Sequence, residues 1–377
     1  MSSEKLSKVC QEIQENCISC GQCSSECQML QEIGEEPASI AARKPYVEEA
    51  YECSLCGLCE AVCPSSLSPK NMFGEMRAEA VETGEIPINE YRYMFPDRKV
   101  DVTKLYREVN GIDYQDLNLN RANPVAFFPG CTMLTYSPQL TRAVYSNLCR
   151  KYPDLILMTD CCGLPLYQLG LRDRGKKYGD TVKAKIRDLK IETVIAVCPN
   201  CFYQLGPILK EMGIKLLTVY EVLENLSIFN QSNVLGQKYR VTVHDSCPDR
   251  FEGIFASQVR SALQKKGYQL IEMEHNKKTS TCCGSGGEVS HFNPEMADSR
   301  VKARLDEAEN SGAQILAAYC LSCVLNFGRS SNKIQSKHVL NLLLDVEQDF
   351  EGLKKKSKMM FEGPEGEKMW ERIMAEP

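Results

Sequence analysis

The chain has 377 residues, of which 43% are hydrophobic and 25% charged, a composition typical of a soluble globular protein with two or three domains. Its formal net charge of −5 argues against nucleic acid as the main partner, because phosphate binding needs a basic face. No apolar run approaches the ~18 residues of a membrane span. The N-terminal stretch Met1-Ser-Ser-Glu-Lys lacks the apolar core of a secretory signal. We therefore expect a cytoplasmic chain that meets a membrane only through a partner.

The chain contains twenty cysteines, many of them in C-x-x-C groups. In a small secreted protein they would indicate a disulfide framework. This chain is long and has no signal, and two residues between two thiolates suit the ligation of one metal centre. We therefore expect thiolate ligands to metal in a reducing compartment.

The first 63 residues carry the pattern C-x-x-C-x-x-C-x-x-x-C twice, which is the spacing of bacterial ferredoxins. Three thiolates of a tight turn hold one [4Fe-4S] cubane, and the fourth cysteine ligates the other cluster in two-cluster ferredoxins. This spacing assigns to one cubane Cys17, Cys20, Cys23 and Cys63. It assigns to the other Cys53, Cys56, Cys59 and Cys27. Zinc is the alternative for such pairs, but the third cysteine of each turn favours iron–sulfur.

Helical patterns surround these two motifs. The apolar spacing predicts helices over 38–51 and 69–84, which we place in an N-terminal domain of residues 1–84. The arrangement resembles the all-helical ferredoxin domain of succinate dehydrogenase iron–sulfur subunits. Residues 85–121 show no sustained period and are interpreted as a linker that lies over one of the domains.

Residues 122–235 alternate apolar runs with helical patterns. The pattern predicts strands over 125–128, 155–158, 194–197 and 215–219, and helices over 138–152, 173–189 and 202–212. Such alternation is typical of a mostly parallel sheet covered by helices. Five cysteines follow the strands: Cys131, Cys161, Cys162, Cys198 and Cys201. Because ligands of open parallel sheets bind beyond the carboxyl ends of the strands, these thiols should converge at one edge.

Residues 236–345 repeat this plan. Strands are predicted over 239–244, 269–273 and 315–318, and helices over 255–266 and 294–309. The five cysteines return in the same order as Cys247, Cys282, Cys283, Cys320 and Cys323. The loop with Gly284, Gly286 and Gly287 lacks the lysine of a P-loop, so we interpret it as backbone that closely approaches a cluster. We find no nucleotide fingerprint, so any flavin or nicotinamide should lie on a partner.

The two five-cysteine sets, each with a paired Cys-Cys-Gly and a terminal C-x-x-C, resemble tandem CCG domains of heterodisulfide reductase catalytic subunits. Fusion to a double ferredoxin resembles the membrane-complex type of that subunit. The resemblance implies an α+β multi-domain fold, with the helical ferredoxin domain followed by two α/β CCG domains with mostly parallel sheets. It also implies a non-cubane [4Fe-4S] cluster on each complete set, beside the two cubanes.

That family implies an iron–sulfur oxidoreductase subunit that reduces a small-molecule or protein disulfide, or oxidises thiols, with the ten CCG cysteines at the catalytic clusters. Its partners would be a flavoprotein, hydrogenase-like or cytochrome b subunit. The alternative is an electron-transfer subunit that links a glycerol-3-phosphate, lactate or glycolate dehydrogenase, or an electron-transfer flavoprotein, to a quinone or cytochrome. A third alternative places structural zinc in the repeats.

Other candidate residues are less specific. His244 could deliver a proton to a leaving thiolate, or be a structural histidine that hydrogen-bonds its loop. Arg250 could bind a substrate carboxylate or phosphate, or form a surface ion pair. Cys10 and Cys149 lie outside every motif and are interpreted as buried free thiols. The charged tail, residues 346–377, is interpreted as a solvated helix or a disordered end, with docking to a partner or to the cytoplasmic membrane face as the alternative.

Overall fold

The computed structural model describes residues 2–118, 123–230, 239–329 and 333–375. Within these ranges the chain forms a helical N-terminal part, two α/β repeats that each carry a four-stranded sheet, and two C-terminal helices. The predicted α+β architecture is confirmed. The predicted boundaries at 121/122 and 235/236 lie outside the described residues. Among the described residues, no helix is both long enough and apolar enough to cross a bilayer.

The N-terminal part is helical throughout. Its helices are α1 (Ser2–Asn16), α2 (Gln22–Glu26), α3 (Gln28–Ile33), α4 (Pro37–Arg43), α5 (Val47–Glu52), α6 (Leu58–Ala61) and α7 (Pro69–Thr83). The single helix predicted over 38–51 is wrong, because the chain breaks between α4 and α5. Lys44 has a φ of 65°, and it precedes Pro45, whose ring disfavours a helical conformation in the residue before it. Helix α7 matches its prediction, with the Ser68 hydroxyl capping its start.

The predicted linker contains regular structure. A 3-10 helix covers Ile88–Met94, and α8 covers Val102–Val109. Asp101 caps α8, accepting from the backbone N–H groups of Thr103 and Lys104. Phe95 is fully buried against Leu166 and Leu169 of the first repeat, so this segment packs on the repeats as predicted.

The first repeat is a parallel sheet with helices on both sides. Its elements are β1 (Val125–Phe128), α9 (Cys131–Tyr136), α10 (Pro138–Cys149), β2 (Ile156–Leu157), α11 (Leu164–Gln168), α12 (Arg172–Asp188), β3 (Thr193–Ala196), α13 (Pro199–Glu211), β4 (Lys215–Thr218) and α14 (Val219–Asn225). The strand order is β2-β1-β3-β4, with Ala126 opposite Ile156 and Phe128 opposite Ala196. The cysteines follow the carboxyl ends of β1, β2 and β3, as the sequence predicts.

The second repeat copies this topology. Its elements are β5 (Arg240–His244), α15 (Ile254–Lys266), β6 (Gln269–Leu270), α16 (Val289–Phe292), α17 (Pro294–Asn310), β7 (Ile315–Ala318), α18 (Leu321–Phe327), β8 (Gln335–His338) and α19 (Val339–Leu344). The strand order is β6-β5-β7-β8, and all the paired strands are parallel. The sequence analysis did not predict β8, a polar edge strand.

The two repeats share one hydrophobic core. Val144 of α10 and Val222 of α14 belong to the same buried cluster as Phe255 of α15 and Leu340 of α19. Burying these faces against each other fixes the two sheets relative to one another. The carboxyl ends of both sheets can therefore meet at a defined spacing.

The C-terminal tail is helical. It forms α20 (Phe350–Met359) and α21 (Gly363–Ala375). Ile373 of α21 is completely buried with Val100 and Leu105 of the 85–118 segment. The described part of the tail therefore docks on its own chain, although most of its charged residues remain exposed as predicted.

Candidate functional site

The two ferredoxin-type turns share one backbone conformation. Ser19 and Leu55, the third residues of the turns, both have a φ of 50°. Gly21 and Gly57, the fifth residues, have φ values of 73° and 72°. The left-handed region is unfavourable for serine and leucine, so local preference does not explain these turns. The same strain at the same position in both turns indicates that both are shaped around one kind of group.

The second turn and Cys27 line a cavity of about 420 Å³. The thiols of Cys53, Cys56 and Cys59 face it with that of Cys27, the set that the spacing assigns to one cubane. The Leu55 N–H donates to Sγ of Cys53 at 3.4 Å. Burial raises the pKa of Cys53 to about 11 and that of Cys59 still further. Four soft donors at one cavity fit an iron–sulfur cluster, although their ligation stays a prediction.

The other ferredoxin set lies closer to solvent. Cys20 is exposed, whereas Cys17, Cys23 and Cys63 are half-buried. Burial raises the pKa of Cys23 to about 11, with the nearby Cys17 contributing. Leu67 donates its N–H to Sγ of Cys63 at 3.4 Å. An exposed thiol in this set gives the predicted first cubane a route to a partner at the surface.

The structure brings all five cysteines of the first repeat together. Thiol contacts run from Cys131 to Cys161, to the adjacent Cys162, to Cys201 and to Cys198. Hydrogen bonds from Cys161 and Cys201 lower the pKa of Cys162 to about 6. A thiol with a lowered pKa is more readily the thiolate that binds metal.

A glycine is required beside this set. Gly130 has a φ of 92°, and a Cβ built on it would lie 3.1 Å from both the Cys198 Cβ and the Cys201 Sγ. The glycine therefore keeps the entrance to α9 clear of the thiols of α13.

The second repeat assembles the same set. Contacts connect Cys247 to Cys282, Cys282 to Cys283, and Cys323 to Cys320, and 3.1 Å separates the Cys283 and Cys323 sulfurs. Hydrogen bonds from Cys247, Cys283 and Cys56 hold the pKa of Cys282 well below its usual value.

The paired Cys-Cys-Gly turns also correspond between the repeats. The Gly284 N–H donates to Cys282 Sγ at 3.3 Å, and the Gly163 N–H donates to Cys161 Sγ at 3.4 Å. Backbone N–H donors to sulfur are among the groups that tune iron–sulfur clusters.

The two five-cysteine sets face each other across one cavity of about 510 Å³. Nine of the ten thiols, all in the described residues, line it: Cys131, Cys161, Cys162, Cys198, Cys201, Cys247, Cys283, Cys320 and Cys323. The thiols of Cys198 and Cys320 are in contact, and Asn200 Nδ2 lies 3.8 Å from Cys320 Sγ. The hydroxyls of Thr132 and Ser322 lie 3.4 Å apart. A molecule in this cavity could therefore reach both sets at once.

Cys282, the tenth thiol, lines the ferredoxin cavity instead. Its sulfur contacts that of Cys56, and Cys56 lines both cavities. The second ferredoxin turn therefore adjoins the second repeat directly. This contact places a predicted electron carrier beside a predicted catalytic cluster.

Buried arginines hold this junction together. Arg250 is 5% exposed and donates to the carbonyl oxygens of Cys56, Lys278 and Ser280. Both interpretations of Arg250 from the sequence are therefore wrong, because its guanidinium binds neither a surface carboxylate nor the cavity. Arg300 donates to the Ser54 hydroxyl and to the Glu52 carbonyl.

The glycines after Cys283 approach the ferredoxin turn. A Cβ on Gly286 would lie 2.6 Å from the Ser54 carbonyl oxygen, and one on Gly287 would lie 2.5 Å from that of Cys53. The sequence analysis predicted close backbone approach to a cluster. The structure shows close approach to the backbone that carries the cysteines of the second turn.

His244 ends β5 and is 1% exposed. Its Nδ1 accepts a hydrogen bond from Arg304 Nε at 3.1 Å. A ring nitrogen of His244 and the sulfurs of Cys283 and Cys323 all lie within 4.8 Å of one another. Burial, reinforced by Arg304, lowers the pKa of His244 to about 3, so the imidazole is neutral near pH 7. Proton delivery by His244 remains a prediction, and a neutral ring is a poor acid.

Two residues of this region escaped the sequence analysis. Arg77 of α7 is completely buried and lies four residues after Phe73, on the apolar face; an arginine on that face was a usable signal. Glu288 lines the cavity between the two repeats, and burial raises its pKa to about 7. Nothing in the local sequence distinguishes Glu288. Of the two isolated cysteines, Cys10 is buried as predicted, whereas Cys149 is half-buried.

Comparison with known proteins agrees with this organisation. Residues 16–68 match the model of the 4Fe-4S dicluster domain, and residues 125–206 and 241–328 each match the cysteine-rich domain. The chain is 28% identical to a fumarate reductase (CoM/CoB) subunit of Methanothermobacter marburgensis, over 87% of this chain and 70% of that one. It is 26% identical to a dihydromethanophenazine:CoB–CoM heterodisulfide reductase subunit of Methanosarcina mazei, over 77% of this chain and 75% of that one. It is also 26% identical to lactate utilization protein A of Oceanobacillus iheyensis, over 48% of this chain and 80% of that one.

Proposed function

Because the chain is an iron–sulfur protein of the heterodisulfide reductase type, with a 4Fe-4S dicluster domain joined to two cysteine-rich domains, we propose that it exchanges electrons with a disulfide or its thiols in the cavity between the repeats. The overall reaction is R–S–S–R′ plus two electrons and two protons, giving RSH and R′SH. In reverse, two thiols are oxidised to the disulfide. The observation that carries this proposal is the cavity lined by nine of the ten thiols of the two five-cysteine sets.

We assign the cofactors from the grouping of the thiols. Cys17, Cys20, Cys23 and Cys63 would hold one cubane, and Cys27, Cys53, Cys56 and Cys59 the other. The five cysteines of each repeat would hold a non-cubane [4Fe-4S] cluster. When bound, these clusters would supply one-electron steps and soft iron sites for sulfur.

The protein itself positions and shields the reacting sulfurs. The cavity wall is contributed by residues after β1, β2 and β3 and by their counterparts in the second repeat, so the shared core fixes its width. Electrons would enter at the first ferredoxin set, pass to the set that contains Cys56, and reach the second repeat at Cys282. Glu288 lines the cavity and can carry a proton near neutral pH.

Electron paramagnetic resonance tests the proposal. Anaerobic, oxidised protein is titrated with CoM and CoB, which appear in the names of two of the relatives, and with glutathione and short mercaptans. We expect a new thiol-dependent signal that is lost in Cys283→Ser or in Cys162→Ser. Iron and sulfide analysis of each variant should show the loss of one cluster, about four iron per chain, with both cubanes retained.

Two results would contradict the proposal. One is full disulfide turnover in either serine variant. The other is zinc in the repeats with iron confined to the N-terminal part.

A second function is electron transfer without sulfur chemistry. Similarity to lactate utilization protein A favours it, as do the exposure of Cys20 at the surface and the contact of Cys56 with Cys282. In that case the signals of the reduced clusters would be indifferent to every thiol tried. Electrons would instead pass between a flavoprotein dehydrogenase or electron-transfer flavoprotein and a quinone or cytochrome.

We place the chain in a larger redox complex in the cytoplasm. The relatives are named as subunits, and a flavoprotein, hydrogenase-like or cytochrome b subunit would complete the route. Attachment to the membrane would come from such a partner. The domain boundaries at residues 84, 121, 235 and 345 belong to the same proposal.

A further inference from the structure

His244 occupies a position that distinguishes the two repeats. It is the last residue of β5, three residues before Cys247. The corresponding residue of the first repeat is Phe128, the last residue of β1 and three residues before Cys131. Both side chains are buried beside their cysteines, but only the histidine carries polar atoms.

The hydrogen bond from Arg304 determines where the proton of the imidazole lies. An arginine side chain can only donate, so Nδ1 of His244 must present its lone pair to Arg304 Nε at 3.1 Å. A ring that accepts at Nδ1 is neutral and carries its single proton on Nε2. Arg304 is held in this orientation because its guanidinium also donates to Glu307 and to the His275 carbonyl.

The Nε2–H group has no hydrogen-bond partner among the described residues, although it is buried. Leaving such a donor unpaired costs about 1–3 kcal/mol. The Phe327 ring lies at a right angle to the imidazole, with 5.1 Å between centroids, and offers no better acceptor. A ring nitrogen of His244 lies within 4.8 Å of the sulfurs of Cys283 and Cys323, and because Arg304 engages Nδ1, we infer that Nε2 is the nitrogen that serves them.

We propose that His244 donates its Nε2–H to a sulfur of the cluster held by the second repeat, and that this raises the reduction potential of that cluster above that of the first. The inference rests on the proposed function, since it assumes that the second repeat holds a cluster. His244 then tunes the reduction potential of the cluster by direct contact with it. A hydrogen bond to sulfur stabilises the more negative, reduced state, and it thereby favours electron entry at the repeat that adjoins Cys56.

The test is a redox titration followed by electron paramagnetic resonance, in full-length protein that carries Cys162→Ser so that only the second-repeat cluster of the pair remains. His244→Phe reproduces the residue of the first repeat and removes the donor. We expect the ratio of reduced to oxidised cluster at a fixed potential to fall about tenfold, which is 59 mV for one electron. His244→Gln, which keeps an N–H donor, should recover part of this shift. An unchanged potential in the phenylalanine variant, or an equal shift in both variants, would overturn the inference.

A second measurement leaves His244 itself unchanged. The protein is labelled with ¹⁵N-histidine in the Cys162→Ser background. Its electron paramagnetic resonance signal from the second-repeat cluster should show a weak hyperfine coupling to nitrogen and a coupling to an exchangeable proton. No coupling, or the strong coupling of a directly bound nitrogen, would contradict the hydrogen bond. Iron and sulfide analysis separates the two levels: a second repeat without a cluster overturns the proposed function, whereas a cluster indifferent to His244 overturns this inference alone.

Discussion

The two repeats hold the same five cysteines on the same strand order, yet their thiols lie in different surroundings. In the first repeat, Cys161, Cys162 and Cys201 belong to an apolar cluster with Phe128 and Ile156. In the second repeat, Cys283, Cys320 and Cys323 also belong to an apolar cluster, but this repeat in addition buries polar and charged side chains: His244, Asp245, Arg250, Arg260, Arg300 and Arg304. A shared ligand pattern therefore does not imply equivalent clusters, because buried charge and hydrogen bonds to sulfur change redox properties.

The neighbours of the repeats differ as well. The second repeat contacts the ferredoxin part through Cys282 and Cys56. The first repeat lines a further cavity of about 390 Å³, whose wall includes Cys131 and Cys161 together with two cations and three aspartates: Lys104, Arg107, Asp97, Asp101 and Asp160. On the proposed route, electrons would therefore reach the second repeat before the first.

Matched serine variants should produce the largest difference between the repeats. Both Cys162→Ser and Cys283→Ser should abolish disulfide turnover, because each should lose the cluster on one side of the cavity. Electron entry should distinguish them. After rapid mixing with a one-electron protein donor, the second-repeat cluster should still be reduced in Cys162→Ser. The first-repeat cluster should be reduced at least about tenfold more slowly in Cys283→Ser, because its neighbour on the route is gone.

Freeze-quench electron paramagnetic resonance spectra of the two variants measure these rates of reduction. Cys56→Ser is the control, because it should slow electron delivery to the clusters of both repeats. Equal rates for the two repeats would mean that electrons do not pass through the second one first. The different surroundings of the two cysteine sets would then affect the binding of a substrate and not the supply of electrons.

Replacing Arg77 should have the next largest effect, a loss of stability, because this residue connects both repeats to the ferredoxin part. Its guanidinium donates to the carbonyl oxygens of Ala50 and Cys53, and to those of Gln168 in the first repeat and Gly287 in the second. Arg77→Met leaves these buried acceptors unpaired, and we expect a loss of about 3 kcal/mol of stability. The midpoint in urea for loss of the cluster absorption measures it.

Arg142→Met is the matched control for Arg77→Met. Arg142 also makes short hydrogen bonds, at 2.7 and 2.8 Å to Asp116, but both side chains are exposed. Exposed pairs contribute about 0–1 kcal/mol, so its midpoint should hardly move. Similar midpoints for both variants would show that Arg77 does not hold the three parts together.

The sequence predicted the strands and the cysteine groups well for a physical reason. The run Val125–Phe128 is apolar and is followed by Pro129-Gly130, so it could only be a buried strand end. Strand β8 carries Gln335, Ser336 and Lys337, and it forms because the edge of β7 is free to pair. Its pairing depends on tertiary contact with β7, which no local sequence pattern predicts.

The prediction failed where distant segments decide the outcome. The buried face of α21 depends on Val100 and Leu105, which lie more than two hundred residues earlier in the chain. The role of Gly286 and Gly287 depends on the backbone of Cys53 and Ser54. By contrast, the Lys44-Pro45 pair was a local signal for the break between α4 and α5 that the sequence analysis did not use.

Glu288 provides a further difference between the repeats. The matching loop of the first repeat, residues 163–168, has no acidic residue. Burial raises the pKa of Glu288 to about 7 from 4.5, although Arg77 acts in the opposite direction. The folded state therefore holds this proton more tightly than the unfolded state does. Its stabilising contribution is complete below about pH 4.5 and is lost as pH rises through 7.

Glu288→Gln removes this titration. We therefore expect the variant and the parent to have equal stability near pH 4, and the variant to be more stable by about 3 kcal/mol at pH 8. Arg77, Tyr93 and His291 also face this carboxyl and remain in both proteins, so the difference between the two pH profiles reports Glu288 together with its coupling to these three groups. The exposed Glu362→Gln should give a flat difference across the same range. A flat difference for Glu288→Gln as well would mean that this carboxyl is ionised and solvated in the folded protein, and the second repeat would then lose its distinctive acid at the cavity.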